Sequence, residues 1–375
     1  MLESQVQGIS ESERGGWTDR YSRQVRFAPI GDEGQRRLRE ASVMIAGCGA
    51  LGASLAQHMA RSGVGKLVIV DRDYVEPSNL QRQTLFDEED ARRALPKAEA
   101  AAGKLRRING EVTVEAHVAD MREGNVRGFS KGVDLILDGT DNVATRLMLS
   151  DEAFRLGIPF LYGGATASQG MSAMLIPGRT VCLRCLIGGE EEAEEGETCD
   201  SMGVLSATVE FVAALQAVEA IKWLTGNRDA IRGTWVRTDI WNFGFRESKM
   251  PSYFPGCPHC GGGTEREAFE VEASPLAGRP AALPAVLCGR DTVQVTMEGP
   301  LRLDSIAEKL QALGCRLTVN RYLVKAELPR PRAVRLVLFP DGRVLVQGTT
   351  DIAKAETLCN AYVSQMYHGQ EETIR

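Results

Sequence analysis

The stretch "RLREASVMIAGCGALGASLAQHMARSGVGKLVIVDRD", residues 37–73, decides the fold. Residues 43–46 are a short apolar run, as suits a strand buried on both faces. Gly47, Gly49 and Gly52 then form a G-x-G-x-x-G turn around Cys48, Ala50 and Leu51. Residues 53–61 read as a helix that the glycines of "SGVG" end. Residues 67–70 are a second strand, closing on Asp71. A strand, a glycine turn and a helix N-terminus let backbone N–H groups approach a phosphate, and an acid about 20 residues on can accept from a ribose.

Further apolar runs follow at 112–118, 135–137 and 160–162, with helical stretches between them. Strands alternating with helices predict an α/β fold, a Rossmann-like, doubly wound and mostly parallel sheet. Residues 1–18 read as a disordered N-terminus, 19–263 as the main domain and 264–284 as a linker. Residues 285–375 read as a small α+β domain, with strands at 292–296, 323–327, 335–339 and 344–347 and helices at 303–313 and 352–367. "PDG" at 340–342 suits a hairpin turn. The acidic block "GGEEEAEEGET", 188–198, reads as a mobile loop.

The net charge of −6 over 375 residues gives no pull toward nucleic acid or an anionic membrane. The most apolar window, 202–224, contains Glu210, Glu219 and Lys222, so a buried helix is expected and not a membrane span. The polar N-terminus is no signal peptide, which points to the cytoplasm. Nine cysteines in a reducing compartment suggest metal or catalysis before disulfides. Cys182 and Cys185 in "CLRC", with Cys257 and Cys260 in "CPHC", supply four thiolates for a structural zinc that would staple the end of the main domain. His259 is the substitute ligand. Cys48, Cys288, Cys315 and Cys359 read as packing or surface residues.

"NLQRQTLF", 79–86, sets Asn79 and Arg82 just after the acid at the second strand's end. An NAD-binding oxidoreductase has little use for a cation there. A triphosphate carries more charge, and its α-phosphorus takes up still more during attack, so Arg82 and Lys97 fit it better. Asp141, after the apolar run at 135–137, is placed to hold magnesium.

In order along the chain, "RYSRQVRF", "GCGALG", "D-x-D-x-V-x-x-S-N-L-Q-R-Q", "PKAEAA", "DGTDNVATR", "CLRCL", "TCDSMGVLSATV" and "PGCPHC" closely resemble the ThiF/MoeB family, bacterial relatives of ubiquitin-activating enzymes. The resemblance implies adenylation of the C-terminal glycine of a ubiquitin-like sulfur carrier protein by MgATP, with release of pyrophosphate. It implies a homodimer in which Arg23 reaches the neighbour's ATP site. It places Asp71 on the ribose, Asn79, Arg82 and Lys97 on phosphates, and Asp141 on magnesium and catalysis. Asp73, Gln83 and Asn142 lie in the same motifs and complete the expected ATP set. ThiF-like members link a cysteine at the position of Cys199 to the carrier, whereas MoeB-like members carry it without needing it, so both roles stand open for Cys199.

"DIWNFGFRESKM", 239–250, resembles the family's carrier-contacting strand, where Phe243, Phe245 and Arg246 serve either the carrier or the core. The tail lacks the C-R-x-G-x-x-S-like loop of a rhodanese domain, so sulfur would come from a separate donor enzyme. The thiazole (thiamin) branch is the leading expectation and the molybdopterin branch its near alternative. An NAD-binding oxidoreductase and a catalytically inert binder of a ubiquitin-like partner are the other classes.

Overall fold

The computed structural model describes residues 17–188, 202–261, 285–287, 291–297, 299–330 and 333–363. A helix at Trp17–Val25 begins inside the stretch expected to be disordered. The expected linker, Cys199, Cys288 and residues 189–198 of the acidic block lie outside the described residues.

The first sheet has eight strands in the order β3-β2-β1-β4-β5-β6-β7-β8. β1 (Ser42–Ala46), β2 (Lys66–Asp71), β3 (Thr113–Val118), β4 (Leu135–Asp138) and β5 (Phe160–Thr166) run parallel. The side-chain period of two splits their apolar residues between the two faces. Ile45, Leu67, Ile69 and Leu137 enter one core, while Met44, Val68, Val70 and Ile136 enter the other. This double burial explains the unbroken apolar runs. β6 (Gln169–Leu175), β7 (Thr234–Asp239) and β8 (Gly244–Lys249) add an antiparallel wing. The apolar window became the helix Ser206–Leu224, packed over β5 and β6. Among the described residues no helix is long and apolar enough to cross a membrane.

Strand order reverses at β1, which lies between β2 and β4. In open α/β sheets the ligand crevice forms there, beyond the carboxyl ends of the strands.

A second sheet is antiparallel throughout, in the order β11-β12-β13-β14-β10-β9. Its strands are β9 (Ala285–Leu287), β10 (Thr292–Thr296), β11 (Arg316–Asn320), β12 (Leu323–Glu327), β13 (Arg335–Leu338) and β14 (Arg343–Gln347). The helices Leu303–Ala312 and Ile352–Tyr362 cover one face through Ile306, Leu310, Ala355 and Leu358. The tight turn between β13 and β14 needs Gly342, at φ 93°.

Candidate functional site

The glycine turn meets the helix Ala50–Ser62 at the switch point. Gly47 sits at φ 79°, and a Cβ there would come within 2.8 Å of the Gly139 carbonyl. A Cβ on Gly52 would fall 1.8 Å from the Gly47 carbonyl. These two glycines therefore serve close packing of turn, helix and the loop after β4. Gly49 differs, because a Cβ there would meet only the Gln83 side chain, at 3.8 Å. It faces open space at the start of a helix that no side chain caps. Gln83 is buried, and its Oε1 has no hydrogen-bond partner among the described residues. An open cradle, an uncapped helix end and an orphaned amide oxygen fit a bound polar ligand.

Asp71 ends β2, and its carboxylate accepts from the N–H groups of Cys48 at 2.6 Å and Asp73 at 2.7 Å. Burial pushes this carboxyl up, while Lys97 pulls it back. Lys97 starts the helix Lys97–Ile108, and its Nζ lies 3.0 Å from Asp73 Oδ2. Asn79 is buried and accepts from the Glu76 N–H at 3.0 Å, which fixes the loop after β2. Arg82 is half-buried and donates to the Ser78 carbonyl.

Asp141 is exposed at the end of β4, and Asn142 caps the helix Val143–Leu156 by accepting from the Thr145 N–H at 2.8 Å. Burial works to lower the Arg72 pKa, but the carboxylates of Asp73, Asp120 and Asp141 hold it above its usual value. Thus Asp73, Asp141 and Arg72 share one electrostatic neighbourhood beyond the ends of β2 and β4, the strands that flank β1. Among the described residues Asp141 belongs to no cluster of three or more side chains that could ligate a metal. A magnesium ion there would need phosphate oxygens as further ligands.

Two residues the sequence reading left unassigned shape this crevice. Asp138, fully buried, pairs with Arg146 Nε at 3.2 Å and accepts from the Thr140 hydroxyl at 2.7 Å. Arg146 also donates to the Thr140 carbonyl at 2.6 Å, one residue before Asp141. Its place within "DGTDNVATR" was the available signal.

Arg23 lies elsewhere. It is exposed, and its neighbour Gln24 donates to the Ser62 carbonyl at 2.9 Å, at the far end of the helix Ala50–Ser62. Along a 13-residue helix that is roughly 18 Å from the glycine turn.

Cys182, Cys185, Cys257 and Cys260 come together with all four sulfurs within 4.8 Å. Two of the sulfur pairs are 3.8 Å apart. Four Zn–S bonds of about 2.3 Å set tetrahedrally span edges of about 3.8 Å, so the cluster could hold zinc. Burial pushes the Cys185 thiol up to about 12, whereas burial works to raise the Cys257 thiol but the backbone N–H groups of Cys260 and His259 bring it down to about 7. His259 turns away, its Nδ1 at 3.1 Å from Asp151, and the His259 N–H donates to the Cys257 sulfur. Cys48, Cys315 and Cys359 are buried.

On the antiparallel wing, Phe243 is 84% exposed and Trp241 77%, with Phe245 also open to solvent. These rings stand at an edge strand and not in the core. Phe243, at φ 52°, holds a strained turn.

The sheet order, the glycine cradle and the four-cysteine cluster define a Rossmann-like nucleotide-binding protein with a candidate metal staple. The ThiF family model matches residues 21–259. The chain is 40% identical over 349 residues to the sulfur carrier protein ThiS adenylyltransferase of Bacillus subtilis (strain 168), covering 92% of this chain and 99% of that protein. It is 38% identical over 245 residues to the SAMP-activating enzyme E1 of Haloferax volcanii, covering 65% of this chain and 89% of that one. The fold superposes on the crystal structure of E. coli MccB with ATP at a TM-score of 0.56 and 22% identity, covering 65% of this chain and 74% of MccB. The chain belongs to the ThiF family.

Proposed function

We propose that this chain uses ATP to adenylate the C-terminal glycine of a ubiquitin-like sulfur carrier protein, releasing pyrophosphate, in thiamin thiazole biosynthesis. The observation that carries this reading is the 40% identity across 99% of a ThiS adenylyltransferase. The geometry supports it. The open face of Gly49 admits a phosphate, and the neighbourhood of Lys97, Arg72 and Asp141 suits charge that grows on the α-phosphorus.

A carboxylate oxygen of the carrier attacks the α-phosphorus. The bond from that phosphorus to the bridging oxygen breaks, and its electron pair leaves on pyrophosphate. No general base is needed, because the carrier's carboxylate is already ionised at neutral pH. The chain's task is to position two anions and neutralise them. Asp71 faces the ribose, Asn79 and Gln83 shape the loop around the phosphates, and Arg82 and Lys97 supply positive charge. The partner subunit's Arg23 completes the set in a homodimer. Asp141 would hold magnesium, which supplies charge neutralisation on the phosphate oxygens. The four cysteines would hold zinc, one per chain on elemental analysis. Phe243, Phe245 and Arg246 suit the carrier's docking surface. Sulfur would then come from a separate donor enzyme, and if this chain works in the ThiF-like manner the Cys199 sulfur would attack the carrier's acyl adenylate, forming a C–S bond as the bond to AMP breaks and the thiol proton is released.

ATP–pyrophosphate exchange dependent on a ThiS-like carrier ending in Gly-Gly tests the reading. Asp141→Ala should abolish exchange and leave the fold and zinc content intact; near-normal exchange removes the assignment. Exchange with a MoaD-like carrier alone would move the protein to the molybdopterin branch.

A further inference from the structure

In β14 the period of two puts Arg343, Leu345 and Gln347 on the face away from the helices. That face is not solvated. Arg343 is 2% exposed and Gln347 5%, and Leu345 packs with Leu323, Val337 and Phe339 around Tyr74 and Ala94 of the first unit. A polar and apolar mixture, buried, marks this face as a seat for something specific.

Arg343 Nε pairs with Asp341 Oδ2 at 2.7 Å within the sheet, and further side-chain hydrogen bonds of this face land on two short segments. Arg343 Nη1 donates to the Arg72 carbonyl at 3.3 Å. Gln347 Nε2 donates to Glu76 Oε1 at 3.3 Å. The Tyr74 hydroxyl lies 2.9 Å from Glu76 Oε1 and 3.1 Å from Gln347 Oε1, and the carboxylate, the stronger acceptor, takes its one proton. Asn320 Nδ2 donates to the carbonyls of Arg93 at 2.9 Å and Ala94 at 3.2 Å. These two segments are tied to each other. Val75 N–H donates to the Leu95 carbonyl, and Lys97 N–H to the Asp73 carbonyl. They carry Asp73 and Lys97 and lead into Asn79, so the second sheet grips the nucleotide loop on both of these segments.

We propose that the second sheet is a brace for the ATP site, with Gln347, Arg343 and Asn320 as positioning residues that act through Glu76, Tyr74 and the backbone at 72 and 93–94. The inference rests on the reading of the crevice as an ATP site. Glu76 N–H donates to Asn79, so a shift of the Glu76 carboxylate is passed to Asn79 by one covalent residue. Asp73 lies between the gripped positions 72 and 76, and Lys97, three residues past the grip at 93–94, donates its N–H to the Asp73 carbonyl at 2.9 Å; sub-ångström placement of such groups governs phosphate binding.

The test uses the full chain and MgATP. Gln347→Leu and Tyr74→Phe each remove one polar group and keep the packing. Calorimetric ATP affinity should fall about tenfold in each, and the double variant should be no weaker than the weaker single, because both act on one carboxylate. In pyrophosphate exchange the KM for ATP should rise by the same factor, while kcat and the carrier KM move less than about twofold. Asn320→Ala, at the separate grip on 93–94, should give the same split. Variants that fold, hold zinc and bind ATP as the wild type does overturn the brace alone. Loss of fold in all three also overturns it, since the sheet then serves stability only. A wild type that binds no ATP removes the proposed function as well.

Discussion

Arg146 stacks 5.5 Å over the Tyr162 ring while its guanidinium pairs with Asp138 and donates to the carbonyl beside Asp141. In the wild type, burial pushes the Asp138 carboxyl up, and Arg146, Thr140 and the Gly163 N–H hold it back. Arg146→Ala removes the largest of the restraining groups and leaves a fully buried carboxylate without its cation, a loss of about 3 kcal/mol in chemical denaturation. Asp138 then rises further. A carboxyl raised in the folded chain adds stability below its unfolded value and loses it as the pH climbs through the folded one. The deficit of Arg146→Ala against wild type should therefore widen as the pH climbs above the ordinary carboxylate range. A deficit that is flat or shrinks over that range would mean the pair is not the cause. The positions of Asp71 at the end of β2 and of Asp141 just beyond β4 could be read from spacing, because a strand end fixes where such groups project, whereas Lys97 opens a helix and is brought to Asp73 only by the fold. Arg72 and Asp138 could not, because their charges matter only once β2 and β4 lie beside β1.

At the scale of elements, the turn between β1 and the helix Ala50–Ser62 separates two glycines that look equivalent in the motif. Gly52 is packed against the Gly47 carbonyl, whereas Gly49 borders empty space. Gly52→Ala forces backbone apart and should cost about 3 kcal/mol of stability in thermal or denaturant unfolding. Gly49→Ala meets no such clash and should cost less than about 1.5 kcal/mol, yet its methyl group fills the cradle and ATP affinity should fall more than about tenfold. Equal stability losses at both positions would refute the division of labour. β1, β2, β4 and β5 were legible as apolar runs, since burial on both faces removes alternation. β6 was not, because Gln169 and Gly170 open it and only its far half is apolar. The hairpin of β7 and β8 was read as one strand across 239–250, because a turn at 240–243 built on Trp241 and Phe243 has none of the usual turn residues except Asn242.

For the whole molecule, the second unit was legible as a separate fold but its seat was not. Arg343 and Gln347 alternate with valines as a solvent face would, and only contact with residues some 270 positions away buries them. A second assembly question concerns Arg23. Its helix is tied by Gln24 to Ser62, and Tyr21 is held by Asn109 Nδ2 at 2.7 Å, so this element sits at the end of the helix Ala50–Ser62 opposite the glycine turn. An arginine so placed lies away from its own crevice, and its proposed target is the crevice of a second subunit. Mixing two inactive variants separates the cases. Combine Arg23→Ala with Asp141→Ala by co-refolding or co-expression in equal amounts. If Arg23 acts across the interface, each mixed dimer has one crevice with Asp141 intact and the arginine supplied by the Asp141→Ala subunit. Half of the dimers are mixed and each has one working site of two, so pyrophosphate exchange should recover to about a quarter of wild type. If Arg23 served its own subunit, every crevice in the mixture would lack one group, and exchange would stay at the level of the separate variants.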